Sequence, residues 1–214
     1  MIYLTEGLPT YVEVNHEKIE LNTDYRAWIE YEQLMLDEDK TDKEQLEKIL
    51  KVCLKDKIIP ESLEQLEELF EGFLWFYALG KDFKEKNNKK EEESDYEKPS
   101  LVYSFEHDWS YIYSAFIECY NINLFTAKLH WWEFKALLES LNEKCLFSKI
   151  LSYRSMEISS KMSKDEKKFY RNMKKIYALP DERTVEEKER SFARSMMASM
   201  QIQKESEVKY GKWW

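Results

Sequence analysis

Glycine and proline are scarce in this chain, with four of each among 214 residues. Folds rich in β-sheet need many tight turns, which favour these two residues, so the scarcity predicts long helices with short connections. Four glycines could hardly build a phosphate-binding loop, and the patterns G-x-x-x-x-G-K-S/T, G-x-G-x-x-G and G-x-S-x-G do not occur. The sequence therefore predicts no nucleotide-binding loop and no serine-hydrolase nucleophile.

Long apolar runs and an excess of positive charge are absent as well. No stretch approaches the roughly 18 apolar residues that a membrane-spanning helix needs, and the N-terminus lacks the basic start and apolar run of a secretory signal. The net charge of −9 disfavours a protein that neutralises nucleic-acid phosphates. Aromatic residues make up 15% of the chain, which argues against disorder throughout. We expect a cytoplasmic protein that binds neither a membrane nor nucleic acid.

Metal ligands are few and poorly spaced. The chain has three histidines and three cysteines, at His16, His107, His130, Cys53, Cys119 and Cys145. None forms the short paired spacings that a zinc site needs. The cysteines lie among helical apolar positions and have no clear basic activator, so we expect reduced, buried thiols without nucleophilic chemistry. We predict no metal site and no cofactor.

One compact acid–imidazole cluster remains as a candidate for chemistry, at Glu106-His107-Asp108. An imidazole between carboxylates can serve as a general base. The simpler interpretation is that the acids complement the dipole of a helix start and that His107 is exposed. We favour this interpretation and predict that the protein has no catalytic residues and is not an enzyme.

Apolar residues recur every three or four positions through most of the chain, which is typical of amphipathic helices. We predict a mainly α-helical bundle of about seven helices, preceded by a short β-hairpin. The hairpin is predicted from the alternating residues 11–14 and 19–21 around the polar turn 15–18. Helix starts are predicted at Asn22-Thr23-Asp24, in the capping box Thr41–Glu44 and at Ile59-Pro60, and a stop at Gly80.

Four further helices are predicted in the second half. Ser104 and Thr126 are expected to begin the first two, a third carries Leu146 to Met156, and the capping box Ser163–Glu166 begins the last, which Pro180 ends. The first is expected to bury one stripe, formed by Trp109, Ile112, Tyr113, Phe116, Ile117 and Tyr120. The last has a basic side, which we interpret as solvated, with phosphate contact as the alternative. It consists of Lys164, Lys167, Lys168, Arg171, Lys174 and Lys175.

The composition divides the chain into four segments. Residues 1–80 hold the hairpin and a helical subdomain, and residues 100–180 hold an aromatic-rich helical bundle. Residues 81–99 are almost all polar or charged, which favours a mobile linker over an exposed helical extension. Residues 181–214 are again charged and form a tail that we expect to be partly disordered.

Two tryptophan pairs are the candidates for binding a partner protein: Trp131-Trp132 and Trp213-Trp214. Adjacent helical residues lie about 100° apart, so both members of the first pair do not easily share one core stripe. Bulky aromatic residues are favoured anchors of protein–protein contacts. The alternative is that both are core residues enclosed by several helices. The terminal pair has no local core, and the choice is between a docking peptide and a tail that packs on its own domain.

Several long motifs together resemble a protein family of temperate long-tailed phages and prophages of Gram-positive bacteria, named only by a product number. They are LPTYVEVNHEKIELNTDYRAWIEYEQLM, FLWFYALG, YSFEHDWSYIYSAFIECYNINL, LHWWEFKALLESL, ILSYRSMEI and KKFYRNMKKIYALP. The resemblance runs from Leu4 to Pro180 without the charged linker. It does not include the tail, so it adds no support for Trp213-Trp214.

The resemblance implies a gene in the tail module, just before the tape-measure gene, where tail assembly chaperones are encoded. It implies no enzymatic activity. We therefore expect a non-enzymatic assembly factor in the host cytoplasm that binds the tape-measure protein, tail-tube subunits or both. A structural tail component of the virion is the first alternative, and a phage regulatory or nucleic-acid-associated protein is the second. Homo-oligomerisation is left open.

Overall fold

The computed structural model describes residues 3–36, 42–56, 60, 62–81 and 102–179. These residues form eight helices and one two-stranded antiparallel sheet, which confirms the predicted fold class. The elements are α1 (Tyr3–Glu6), β1 (Tyr11–Val14), β2 (Glu17–Glu20), α2 (Tyr25–Leu36), α3 (Asp42–Cys53), α4 (Leu63–Tyr77), α5 (Phe105–Tyr120), α6 (Trp131–Glu139), α7 (Leu146–Ser155) and α8 (Lys164–Ile176). The short α1 is the helix that the sequence analysis did not predict.

The chain divides into two compact units. Among the described residues, the first unit contains those up to Lys81 together with His130–Trp132. The second contains residues 102–129 and 133–179. Nearly all of the predicted linker and the whole predicted tail lie outside the described residues, so the four segment boundaries proposed from the sequence stay a prediction.

The hairpin has a tighter turn than the sequence indicated. Val14 pairs with Glu17, so only Asn15 and His16 connect the strands, and the predicted turn over 15–18 was wrong. Both residues have positive φ, at 49° and 63°, as a two-residue hairpin turn with matching twist requires. The Asn15 amide donates a hydrogen bond of 2.7 Å to the Glu68 carboxylate on α4, which anchors the turn.

Helix α4 packs closely against β1. A Cβ atom on Gly72 would lie 2.9 Å from the Val12 Cβ, so glycine permits the approach of helix to strand. Val12 and Val14 are buried there. The aromatic core of the first unit lies between α2 and α4, where Trp28 and Tyr31 contact Phe73.

Helix ends in the first unit agree only in part with the prediction. Helix α4 does not start at Ile59-Pro60: it begins at Leu63, because the Ser62 hydroxyl accepts the Gln65 amide as an N-cap. Gly80 does mark the end of α4, as predicted. Its amide donates to the Trp75 carbonyl at 2.9 Å, and its φ angle is 76°. Thr41 lies outside the described residues.

The second unit keeps the predicted starts at Ser104 and Ser163. The Ser104 hydroxyl accepts the His107 amide, and Ser163 and Glu166 form the reciprocal capping box of α8. The start at Thr126 was wrong. The Thr126 amide instead closes a turn on the Asn123 carbonyl at 3.1 Å, and α6 begins five residues later at Trp131.

The core of the second unit joins α5, α6 and α7. Phe116 stacks on Phe134 with ring centroids 5.2 Å apart, and Phe105, Phe147 and Ile150 are buried with them. The predicted single stripe of α5 was wrong in two places, because Trp109 and Ile117 are exposed. The described chain also contains no helix with the length and apolar character to cross a membrane.

Candidate functional site

Both tryptophans at the start of α6 are buried in the first unit. Trp131 is fully inaccessible, and its indole N–H donates to the Tyr77 carbonyl at 3.0 Å while its ring stacks on Tyr77. Trp132 is 7% exposed and donates to the Phe76 carbonyl at 2.8 Å. The Trp131 indole thereby supplies a donor to a carbonyl in the last turn of α4, which has no partner within the helix. The Trp132 indole is a second donor to the Phe76 carbonyl, which also accepts the Leu79 amide at 3.2 Å.

His130 holds this segment at its N-terminal side. Its Nδ1 accepts the Trp132 amide at 3.1 Å, so Nε2 carries the proton and donates to the Pro9 carbonyl at 2.9 Å. The Trp131 amide also donates to the Thr23 carbonyl at 2.8 Å. Hydrogen bonds from both backbone and side-chain groups therefore hold residues His130–Trp132 in the first unit.

The structure thus places Trp131 and Trp132 as core residues, the alternative that the sequence left open. Rings of Tyr3, Trp75 and Phe76 surround Trp132, so the enclosure comes from elements far away in sequence. A role of this pair in partner binding stays a prediction that would require the segment to open. Trp213 and Trp214 lie outside the described residues, and their docking role also stays a prediction.

The side chains of the acid–imidazole cluster Glu106-His107-Asp108 do not come together in one site. His107 is exposed, as predicted, whereas Asp108 is buried, which the sequence analysis did not predict. Asp108 accepts two hydrogen bonds from the Arg154 guanidinium, at 2.6 and 2.8 Å, and a third from the Ser104 amide. Its carboxylate oxygens are occupied by structural partners, so the geometry does not favour a shared proton with His107.

Arg154 connects three parts of the second unit. Besides Asp108 on α5, its guanidinium donates to the Val102 carbonyl at 3.0 Å and to the Tyr177 carbonyl at 2.6 Å. The side chains of this ion pair are 9% and 2% exposed for Arg154 and Asp108. A buried bidentate pair whose guanidinium also bonds two backbone carbonyls fixes how these segments join.

The remaining candidates for chemistry are dispersed. Among the residues that the structure describes, no three histidine, cysteine or acidic side chains cluster in a way that could hold a metal ion. Cys53 and Cys145 are buried, and Cys119 is partly exposed rather than buried as predicted. Burial, with a smaller effect of Glu30, raises the pKa of the Cys53 thiol well above its usual value. The thiol is therefore protonated and unreactive at neutral pH.

Helix α5 presents an apolar side to solvent. Trp109, Tyr113 and Ile117 recur at four-residue intervals and so lie along one side of the helix. Phe125 packs on Tyr113 with ring centroids 4.8 Å apart. Trp109, Ile117 and Phe125 are 58%, 38% and 69% exposed. We call these four residues the α5 apolar surface.

The position of Phe125 is fixed by its own turn. The Phe125 amide donates to the Asn123 side-chain oxygen at 2.9 Å, and the Ala127 amide donates to the Asn123 carbonyl at 2.8 Å. Asn121, the C-cap of α5, adopts the left-handed conformation that turns the chain into this loop. The α5 apolar surface is thus built on a helix and a hydrogen-bonded turn. The sequence analysis missed it because it assigned these α5 residues to the core.

Helix α8 is described along its whole length and has no buried residue. Lys167 and Lys174 donate to the carbonyls of Ser160 and Arg154, both at 2.9 Å, and so face their own unit. The other basic residues of the helix face solvent, as predicted, together with two apolar side chains. These exposed residues are Lys164, Lys168, Arg171, Lys175, Phe169 and Ile176.

Comparison with known proteins gives one positive result. The sequence profile of a family described as "Bacteriophage Gp15 protein" matches residues 4–179. The matched range includes every described element from β1 to α8, together with the α5 apolar surface. No curated protein matches the chain, and no solved structure does.

Proposed function

Because this chain belongs to the bacteriophage Gp15 protein family, we propose that it is a tail assembly factor that binds the tape-measure protein before the tail tube encloses it. In this proposal the protein acts as a chaperone in the host cytoplasm and can also bring tail-tube subunits to the complex. It performs no catalysis. The observation that carries the proposal is the α5 apolar surface.

Several properties of the α5 apolar surface suit a long helical partner. A tape-measure protein is a helix-rich chain with apolar seams, and such seams bind apolar grooves or ridges through residues spaced by three or four. Trp109 and Phe125 supply large side chains that lose little conformational entropy on binding, as anchor residues of interfaces commonly do. The stripe of α5 runs from the exposed Trp109 past the half-buried Tyr113 to the exposed Ile117. It spans about 12 Å, or two helical turns, which matches such a seam.

The charge of the chain supports the same role. A net charge of −9 helps to keep a protein with exposed aromatic residues in solution. Asp108, the buried acid of the candidate cluster Glu106-His107-Asp108, is already paired with Arg154.

The test is co-expression with the tape-measure protein of the same phage or prophage. We expect the wild-type chain to increase the soluble yield of the tape-measure protein and to co-purify with it. The double variant Trp109→Ser/Phe125→Ser should weaken the binding at least about 30-fold, because two anchors together contribute 2 kcal/mol or more. Leu4→Ser is the matched control, since Leu4 is a fully exposed apolar residue outside this surface.

Two outcomes would count against the proposal. If the wild-type chain changes neither the solubility nor the recovery of the tape-measure protein, the chaperone role is wrong. Mass spectrometry of purified particles distinguishes an assembly factor from a structural tail component, because an assembly factor is absent from virions. A structural tail component would be present at fixed stoichiometry.

A further inference from the structure

Helix α8 carries two exposed apolar residues on one side. Phe169 and Ile176 are 48% and 65% exposed, and no residue of α8 is buried. They are seven residues apart, so they share an arc of about 20° and lie about 10 Å apart along the helix axis. The Phe169 ring contacts the Tyr153 ring of α7 with centroids 6.0 Å apart, so the fold of the second unit fixes its position. We call Phe169 and Ile176 the α8 apolar seam.

The sequence that follows α8 has the pattern of a further amphipathic helix. Residues 181–214 lie outside the described part of the chain. The capping-box pattern T-x-x-E occurs at Thr184–Glu187, and no glycine or proline follows until Gly211. Val185 and Phe192 are the first two large apolar residues after this start, and they are seven residues apart. In a helix they share an arc of about 20°, as the two residues of the α8 apolar seam do.

The equal spacing brings the two apolar pairs together when the chain folds back on itself. In an antiparallel arrangement, Ile176 meets Val185 and Phe169 meets Phe192 in the same register. Each pair then covers an apolar group that is otherwise exposed to water. Heptad spacing of this kind is what two packed helices use along a shared seam.

The connection between the two pairs has a suitable length. Eight residues, 177–184, separate them, and neighbouring antiparallel helices are usually joined by two to eight residues. Pro180 lies in the middle of this connection, where its missing amide donor prevents α8 from continuing. We propose that residues 185–200 form a helix that packs antiparallel on the α8 apolar seam of the same chain. This contact goes beyond the proposed function and uses no residue of the α5 apolar surface.

Tethering and local charge select this segment over other occupants of the seam. A segment joined by eight residues is present at an effective concentration of about 1 mM, which a second copy in a micromolar solution does not reach. Helix α8 contains six basic and two acidic residues, whereas residues 181–190 contain five acidic and three basic residues. The opposite local charges attract each other within a Debye length of about 8 to 10 Å.

Hydrogen exchange in the full-length chain tests the contact from its α8 side. Amides of residues 189–200 should exchange at least about tenfold more slowly than those of an unstructured chain, because a short helix is stable only when packed. Phe169→Ser should remove most of this protection, although the substitution lies in α8. Leu146→Ser is the matched control, since Leu146 on α7 is also 48% exposed, and it should leave the protection unchanged. Retained protection of α5 and α7 shows that each variant is folded.

Nuclear Overhauser effects in the wild-type chain test the register. Contacts should appear between the Ile176 and Val185 methyl groups and between the Phe169 and Phe192 rings. The Leu146 methyl groups, which are equally accessible but lie outside the seam, should show no contact with Phe192.

A concentration series identifies the occupant. Protection of residues 189–200 should be equal at about 5 µM and about 200 µM, because both concentrations lie below the effective concentration of the tethered segment. Protection that rises with concentration would assign the contact to a second copy and overturn the proposal. It is also overturned if these residues exchange at the rate of an unstructured chain, or if Phe169→Ser and Leu146→Ser behave alike. Binding of the tape-measure protein is measured separately and decides only the proposed function.

Discussion

The two units differ in how completely they bury their large apolar side chains. Among the described residues, the first unit encloses Trp28, Tyr31, Phe73, Phe76 and Trp131, and Leu4 is its exposed large apolar residue. The second unit exposes Trp109, Ile117, Phe125, Leu146, Phe169 and Ile176. Its last helix, α8, buries no residue at all.

This difference separates residues that stabilise the chain from residues available to partners. Burying a large apolar side chain contributes about 1.5 to 3 kcal/mol, so the enclosed rings of the first unit support its folding. An exposed aromatic residue contributes little to folding but much to an interface once a partner covers it. We therefore expect substitutions of similar chemistry to affect stability in one unit and association in the other.

The largest expected effect comes from a pair of tryptophan substitutions. Trp131→Ala removes a fully buried ring and leaves the Tyr77 carbonyl without its donor, so the free energy of unfolding should fall by about 5 kcal/mol. Trp109→Ala removes an exposed ring, and the loss should stay within about 0.5 kcal/mol. Urea denaturation followed by circular dichroism measures both. Equal losses for the two variants would contradict the difference between the units.

A smaller effect is expected at the buried ion pair of the second unit. Arg154→Met leaves the Asp108 carboxylate buried without a counter-charge and removes donors from two carbonyls, which should cost about 4 kcal/mol. Arg154→Lys keeps the charge but cannot form the bidentate contact, and its loss should be intermediate.

The double variant Asp108→Leu/Arg154→Met provides the control for this prediction. Replacing both partners by apolar residues removes the stranded charge, so much of the stability should return. A loss below about 1 kcal/mol in Arg154→Met would mean that the pair does not join the segments of the second unit as described.

Local signals in the sequence predicted much of the fold. The capping box at Ser163, the cap at Ser104 and the stop at Gly80 each depend on residues within one turn, and all three occur. The helix start predicted at Thr126 was wrong because Asn123 accepts the nearby backbone amides in a turn, which competes with a helix. Pro60 failed as a helix start because Ser62 is the better N-cap.

Long-range contacts were beyond the sequence analysis. Trp131 bonds to Tyr77, 54 residues away, and Arg154 bonds to Asp108, 46 residues away. Periodicity assigns a residue to one side of its own helix but does not tell which other element covers that side. Other elements cover Trp131 and Trp132 and leave Trp109 exposed, which periodicity does not predict. The sequence therefore indicated that aromatic residues would form the candidate site, but not which of them would be exposed.

The smallest expected effect concerns pH and the capping box of α8. The Ser163 backbone and side chain hydrogen-bond to Glu166 and lower the pKa of its carboxyl group. A lowered folded-state pKa contributes stability that is fully present above the unfolded value of about 4.3 and is lost as pH falls through the folded value. Acid titration should therefore loosen the start of α8.

NMR titration of the Glu166 carboxyl carbon measures this pKa. Ser163→Ala should raise it only part of the way towards that of an exposed glutamate, because the Ser163 backbone amide, the larger cause of the shift, remains. Ser159→Ala, outside the box, should leave it unchanged. An unchanged value in Ser163→Ala would mean that the Ser163 hydroxyl does not contribute and that the backbone amide alone lowers this pKa. Neither variant should affect the stability of the first unit.

The return of His130–Trp132 to the first unit has a consequence for synthesis on the ribosome. About 50 residues separate Lys81 from this segment, and translation at 5 to 20 residues per second needs roughly 3 to 10 s to produce them. During that interval the nascent first unit lacks two of its buried indoles, and the Tyr77 carbonyl at the end of α4 lacks the Trp131 donor. A nascent chain stalled before residue 130 should therefore be cleaved by protease in a region that is resistant once residue 132 has emerged.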